Sequence, residues 1–272
     1  MTYFIIFIFG LVFGSFLNVL IVRIPKGENI AYPPSHCPVC KKQLKWWHNI
    51  PVISWIILKG ECYFCKSKIS LQYPLIELIT AIIFVIVFLK NGINIYSLII
   101  ALTFSLLLTL SMIDFLYKAV PDSLNLLALS LSIFSSANIL ENLKNALLMA
   151  GGFSLLRFYV SYYVSLKENF AIKKEIKKAP WLKSFYPTPV MIEAMGEGDI
   201  IVAATIGAIL GIKLSIISFF LSAIFAIPAS LYLRFSKKEY ELPYIPFLAI
   251  SLIIVYTYKD FFNNLLEWII NG

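Results

Sequence analysis

Long apolar runs separated by short charged stretches organise the chain from residue 3 onward. They cover roughly residues 3–22, 74–89, 95–114, 122–139, 144–164, 199–212, 214–233 and 243–258. A helix needs ~20 apolar residues to cross a bilayer, and these runs match or approach that length. None alternates apolar and polar positions with a period of two, as a barrel strand must, so closed sheets are excluded. The pattern predicts an all-α, polytopic membrane bundle of about eight transmembrane helices. The first run, "YFIIFIFGLVFGSFLNVLIV", lacks a positive leading region and a small-residue cleavage site, and is expected to be a retained span. The closing stretch 259–272, "KDFFNNLLEWIING", reads as a short amphipathic helix on the outer surface. The expected organisation is a first helix over 1–22, a loop domain over 23–73, a helical bundle over 74–258 and the tail.

Composition agrees with the pattern. Of 272 residues, 60% are hydrophobic and 14% charged, against about a quarter charged in soluble domains. Lys and Arg set the orientation. Alternate loops hold all but four of the 23 Lys and Arg residues, including Arg23, Lys118, Lys183, Arg234, Lys237 and Lys238. The exceptions are Lys90, Lys144, Lys213 and Lys259. The richer side is therefore expected in the cytoplasm, with the N-terminus outside. The net charge of +8 reflects orientation and contact with anionic lipid. Its basic residues are spread over membrane-hugging loops, which argues against a nucleic-acid partner.

All four cysteines lie in the first cytoplasmic loop, as Cys37 and Cys40, then Cys62 and Cys65. Two C-x-x-C knuckles supply the four soft ligands of a tetrahedral Zn²⁺. The gap between them slightly exceeds the usual spacing, and a small hairpin over 46–58 would absorb it. A reducing cytoplasm disfavours disulfides. Four thiolates leave no open coordination position, so the metal would be structural. His36 and His48 are read as neighbours rather than ligands.

Acidic side chains near the bilayer are costly, about 2.5–3.5 kcal/mol at a helix centre. Those at span edges are Glu77, Asp114, Asp122, Glu193 and Asp199. Asp114 ends a descending span and Asp199 begins an ascending one, so both fall at the same depth on the cytoplasmic side. Two facing carboxyl groups share one proton, and such a pair can activate water against a peptide bond without a metal. Gly196 and Gly198, in "GEGD", would let backbone approach a substrate strand closely. On its own, Asp199 serves equally well as a helix cap. Asp122 is read as an N-cap, and Glu77 as complementing a helix dipole. Gly10 and Gly14 form a G-x-x-x-G, which close helix packing explains as well as a substrate contact.

The ordered set "GSFLNVLIVRIP", the paired C-x-x-C loop, "NIPVISWIILKGEC", "ISLQYPLIE", "IDFLYKAVPDSLN" and "GEGD" resembles the type IV prepilin peptidases across most of the chain. The resemblance implies that Asp114 and Asp199 are the catalytic pair. It also implies prepilin or pseudopilin substrates of type IV pili and type II secretion, cut between a basic leader and a hydrophobic helix at the cytoplasmic face of the bacterial inner membrane. The new N-terminal amine would then be methylated from S-adenosylmethionine. The chain departs from the family pattern at Ile201, where a Lys is usual, and at His48, often acidic. Two alternatives use the same features: a presenilin-like protease without methylation, and a proton- or ion-coupled transporter.

Overall fold

The structure, a computed structural model, describes residues 1–179, 181, 189–193, 196–233, 235 and 242–271. Lys183, Arg234, Lys237 and Lys238 from the orientation argument lie outside the described residues, as does Gly272 of the tail. The described chain forms α1 (Thr2–Arg23), α2 (Ile53–Ile57), α3 (Gln72–Asn91), α4 (Ile95–Tyr117), α5 (Asp122–Ile133), α6 (Ile139–Lys178), α7 (Glu197–Tyr232), α8 (Ile245–Thr257) and α9 (Lys259–Asn271). Extended pairing among the described residues is limited to two isolated bridges, His36 with Gln43 and Glu61 with Lys68. The all-helical expectation holds.

The expected count of about eight spans is not confirmed. Five helices among the described residues are long and apolar enough to cross a membrane, or six if α8 and α9 are taken as one span bent by 86°. Two apolar runs fall short and two others are joined, for local reasons. The run 122–139 yields only the 12 residues of α5, because "FSSAN" offers poor helix formers after Ile133. The run 243–258 gives a helix of 13 residues. The runs 199–212 and 214–233 are joined in α7, whose regular geometry breaks at Gly211 (φ 75°, ψ 171°).

That break is a reversal. The Ser215 hydroxyl donates to the Gly211 carbonyl at 2.6 Å and also reaches the Ile206 carbonyl at 3.3 Å. A continuous helix would separate positions nine residues apart by ~13 Å along its axis. Both carbonyls can meet one hydroxyl only if the chain folds back, and a glycine is what the positive φ at the corner favours.

Two seams bring backbones into contact. A Cβ at Gly10 would lie 2.6 Å from the Ala81 Cα, and one at Gly14 would lie 2.7 Å from the Glu77 Cα. The G-x-x-x-G pair thus packs α1 on α3, which is the packing explanation offered by its sequence. Gly207 does the same for α6 and α7, where a Cβ would meet the Asn145 carbonyl at 2.8 Å. Around these seams lies one apolar core shared by α1, α3, α4, α5, α7 and α8, with Phe84, Phe104, Leu107 and Leu248 fully buried. At one end of the bundle, the Lys90 ammonium caps α8 by donating to the Tyr256 and Thr257 carbonyls at 2.6 and 2.7 Å.

Candidate active site and cysteine cluster

Asp114 sits in the last turn of α4 and is 8% exposed; Asp199 sits in the first turn of α7. One helix ends and the other begins at this level, and the two carboxyl groups are close enough for their charges to interact. The Asp114 Oδ2 accepts the backbone N–H of Ile245 at 3.1 Å. That N–H belongs to the first turn of α8, where it has no partner within its own helix, so the fold spends it on orienting a carboxyl group. Tyr244, the residue before it, holds its hydroxyl 2.8 Å from that of Ser222 and feels the charge of Asp199. The site is therefore built from one end each of α4, α7 and α8.

The two motif glycines have different surroundings. A Cβ at Gly196 would meet only the Asp199 Oδ2, at an ordinary 3.6 Å. At Gly198 it would lie 2.8, 2.9 and 3.1 Å from the Cγ1, Cβ and Cγ2 of Val120, in the connection between α4 and α5. The close approach at Gly198 is thus to the protein's own α4–α5 turn. From α5, the fully buried Asn125 donates its Nδ2 to the Gly198 carbonyl at 3.0 Å, while its Oδ1 has no partner. Sequence reasoning passed over Asn125. The available signal was a carboxamide at the third position of the apolar run "SLNLLALSL", since polar groups inside membrane segments are costly.

Asp122 is the first helical residue of α5; the N-cap is Pro121, with no side-chain cap bond, so the N-cap assignment is corrected. Glu193 and Glu197 both engage Arg157 of α6, at 3.1 Å each, and remain exposed. Ile201 lies within α7, one turn on from Glu197.

Glu77 is more than a dipole partner. It is buried, and its Oε2 accepts the Val52 N–H at 2.7 Å, reaching from α3 into the loop. Val52 has φ 61°, unusual for a β-branched residue, and leads directly into α2. A second tether comes from Arg23 at the end of α1, which donates to the carbonyls of Asn29, Ile30 and Pro33. The loop is thus fastened to both helices that flank it.

Within the loop, the stretch 46–58 is a 3-10 turn at Trp46–Asn49 followed by α2, rather than a hairpin. The knuckles on either side repeat one geometry. Cys37 N–H donates to Lys42 and Lys41 N–H to Cys37; Cys62 N–H donates to Ser67 and Lys66 N–H to Cys62. Lys41 and Lys66 both have φ 58°. The four Sγ atoms lie within 4.8 Å of one another, and those of Cys37 and Cys65 are 3.8 Å apart. A tetrahedral zinc with Zn–S of about 2.3 Å requires S···S of ~3.8 Å. The donor set and its spacing fit zinc.

Charge in the cluster points the same way. Burial opposes ionisation of Cys37, but backbone N–H groups at Cys40 and Val39 and the Ser67 hydroxyl outweigh it, bringing the thiol down to about 6. At Cys40 the Lys42 N–H favours the thiolate, yet burial and the neighbouring Cys37 and Cys65 raise it to about 11. One thiolate thus opposes the next until a cation balances them. His36 is bonded to the Pro34 carbonyl and His48 is stacked on Tyr63, so neither joins the cluster.

Residues 8–91 match the family model described as the bacterial peptidase A24 N-terminal domain, and residues 100–231 that of the type IV leader peptidase family. Among curated relatives, a prepilin leader peptidase/N-methyltransferase of Neisseria gonorrhoeae is 29% identical over 96% of this chain and 92% of its own length. One from Legionella pneumophila is 30% identical over 98% and 94%, and one from Bacillus subtilis is 30% identical over 94% of each. No solved structure matches the chain.

Proposed function

The chain belongs to the type IV leader peptidase family, and from that premise we propose that it removes the basic leader of prepilins or pseudopilins with Asp114 and Asp199 as its catalytic pair. What supports this is that Asp114, at the end of α4, and Asp199, at the start of α7, are near enough for their charges to interact. One carboxylate takes a proton from a water as it attacks the scissile carbonyl. Its partner, protonated, supplies a proton to the leaving amine. The Ile245 N–H fixes the rotation of Asp114, and Asn125 with Val120 fixes the backbone that carries Asp199. The positive-inside pattern supports a cytoplasmic position for this pair in the bacterial inner membrane, with the N-terminus outside.

Methylation of the new N-terminus, with S-adenosylmethionine as donor, is carried to this chain from the names of its relatives. Those names favour this function over the presenilin-like and transporter alternatives. Zinc on Cys37, Cys40, Cys62 and Cys65 would hold the loop's two knuckles together and take no part in bond cleavage.

The test is to incubate purified protein with a prepilin, with and without S-adenosylmethionine, and weigh the products. Asp114→Asn and Asp199→Asn should each abolish cleavage, and the double variant should be no worse than either. Full cleavage by Asp199→Asn would falsify the assignment and leave Asp199 a helix cap.

A further inference from the structure

The short helix α2 carries an apolar face that the protein does not cover. Ile53, Ile56 and Ile57 stand at positions i, i+3 and i+4, on one side of the helix, and are 53, 62 and 72% exposed. The residues between them turn inward. Trp55 donates its Nε1 to the Ile69 carbonyl at 3.3 Å and packs on Gly60, while the Ser54 hydroxyl donates to the Ile50 carbonyl at 2.7 Å. Three large aliphatic side chains left in water on a five-residue helix would be unfavourable.

The tether at Glu77 sets the level of this face. α3 has 20 residues, so its length of ~30 Å is about one hydrocarbon thickness. Glu77 lies ~7.5 Å along the axis from Gln72, the start of that helix. Its Oε2 holds the Val52 N–H at 2.7 Å, and α2 begins at the next residue. The loop therefore meets α3 beside its second turn, at the level where Leu75 and Leu78 of α3 are themselves exposed. α2 starts at the boundary of the bilayer rather than above it. Because α3 and α4 are consecutive spans joined at residues 92–94, this is the side on which α4 ends with Asp114.

The helix and its flanks suit that depth. Backbone groups that face lipid must be paired within the protein. The N–H groups of Ser54, Ile56 and Leu58 donate to the carbonyls of Ile50, Val52 and Ser54 at 3.1, 3.0 and 2.9 Å. α2 thus presents closed backbone and open apolar side chains. Trp46 and Trp47, both exposed, precede it with ring centroids 5.5 Å apart, and the Lys45 ammonium stands 4.9 Å over the Trp47 ring. Lys59 follows it directly. Aromatic rings and lysines gather where acyl chains give way to headgroups. Headgroup phosphates complement these ammonium groups, which an apolar protein partner would not.

We propose that α2 is an interfacial helix, with its Ile53, Ile56 and Ile57 face sunk in the acyl-chain boundary of the leaflet on the aspartates' side. Lys45 and Lys59 lie among the headgroup phosphates. The occupant of the face is the phospholipid bilayer, continuous with the lipid around α1 and α3. The cysteine cluster is then held to the membrane surface at three points, through Arg23, Glu77 and α2.

The full chain in vesicles of phosphatidylcholine and phosphatidylglycerol tests this through Ile56→Trp, whose added emission is the difference from wild type. Lipid brominated along its acyl chains should quench that emission about twofold or more, as for a ring ~5–10 Å into the boundary, while aqueous acrylamide leaves it nearly unchanged. In the unaltered chain, phosphatidylcholine carrying a diazirine within an acyl chain should label residues 53–57 on irradiation. The triple variant Ile53→Ser, Ile56→Ser, Ile57→Ser should lose that label and keep the wild-type label on α1 and α3, which verifies that it is folded and inserted. Quenching by acrylamide and not by bromolipid would place the face in water. Protection from both would place it against protein, a second copy of the chain included. Either result, an unlabelled 53–57 stretch in the unaltered chain, or full labelling in the triple variant would overturn the proposal. None of these readouts depends on leader cleavage, so they stand or fall apart from the catalytic assignment.

Discussion

Replacing Gly198 with Ala tests how the motif glycine works. The added methyl would sit 2.8 Å from the Val120 Cγ1, 2.9 Å from its Cβ and 3.1 Å from its Cγ2. Ordinary contact begins near 3.4 Å, so about 0.6 Å must be recovered by moving Val120 or the start of α7. Val120 is followed by Pro121, whose ring fixes its own backbone and restricts the residue before it, and Asn125 holds the Gly198 carbonyl from the other side. The strain should cost about 1–3 kcal/mol, the usual range for overpacking. Because Asp199 is the next residue, a shift of a few tenths of an ångström should also slow cleavage by about tenfold, scaled from the ~100-fold that 1 Å can cost. Gly196→Ala, with only a 3.6 Å contact, should be nearly silent in both respects. Val120→Gly removes all three obstructing atoms, so the double variant Val120→Gly, Gly198→Ala should lose less than the sum of the singles. Chemical unfolding in detergent and initial rates of leader cleavage measure both quantities. A Gly198→Ala protein with wild-type stability and rate, or strict additivity in the cycle, would refute the packing account.

Other outcomes follow from the loop and from α5. Metal analysis should find about one zinc per chain, lost in the double variant Cys37→Ser, Cys62→Ser; metal-free protein with four titratable thiols would end the idea. Zinc affinity should weaken as pH falls, since Cys37 near 6 and Cys40 near 11 must both give up protons to bind; a competition titration flat across pH would contradict this. Glu77→Ala strands the Val52 N–H and should loosen loop docking by about 1–3 kcal/mol, seen as faster amide exchange at Val52, whereas unchanged exchange would deny the tether. Asp122→Asn removes a first-turn charge with no cap bond behind it, so stability should change by at most about 1 kcal/mol and cleavage should persist; loss of cleavage would give Asp122 a place in the site.

What could be read from the chain was what is local. The cysteine spacing located the cluster because each knuckle is a closed turn of six residues, repeated at Cys37–Lys42 and Cys62–Ser67. The depth of Asp114 and Asp199 followed from their positions at helix ends, which apolar run lengths reveal. The partners of those residues were not legible. The donor to Asp114 is a backbone N–H 131 positions away, and backbone groups carry no residue signature. Glu77 looked like a dipole partner because its true contact, Val52, lies 25 residues earlier across the loop. Span counting failed where apolarity outlasts helicity, as after Ile133, whereas the division between the runs 199–212 and 214–233 coincides with the break at Gly211.

Synthesis proceeds from the N-terminus, so α1, the cysteine loop and α3 emerge before either aspartate has been made. Gly10 and Gly14 let the backbones of α1 and α3 touch in a single register, which fixes how far apart the loop's two ends are held. Arg23 and Glu77 then fasten the loop at those ends, and its own turns place the four sulfurs. The four sulfurs that could hold a metal all come from this hairpin, and none comes from α5 to α9. The contacts that seat the loop are thus encoded ahead of both aspartates, and the later helices complete the core on a seam already specified by Gly10 and Gly14.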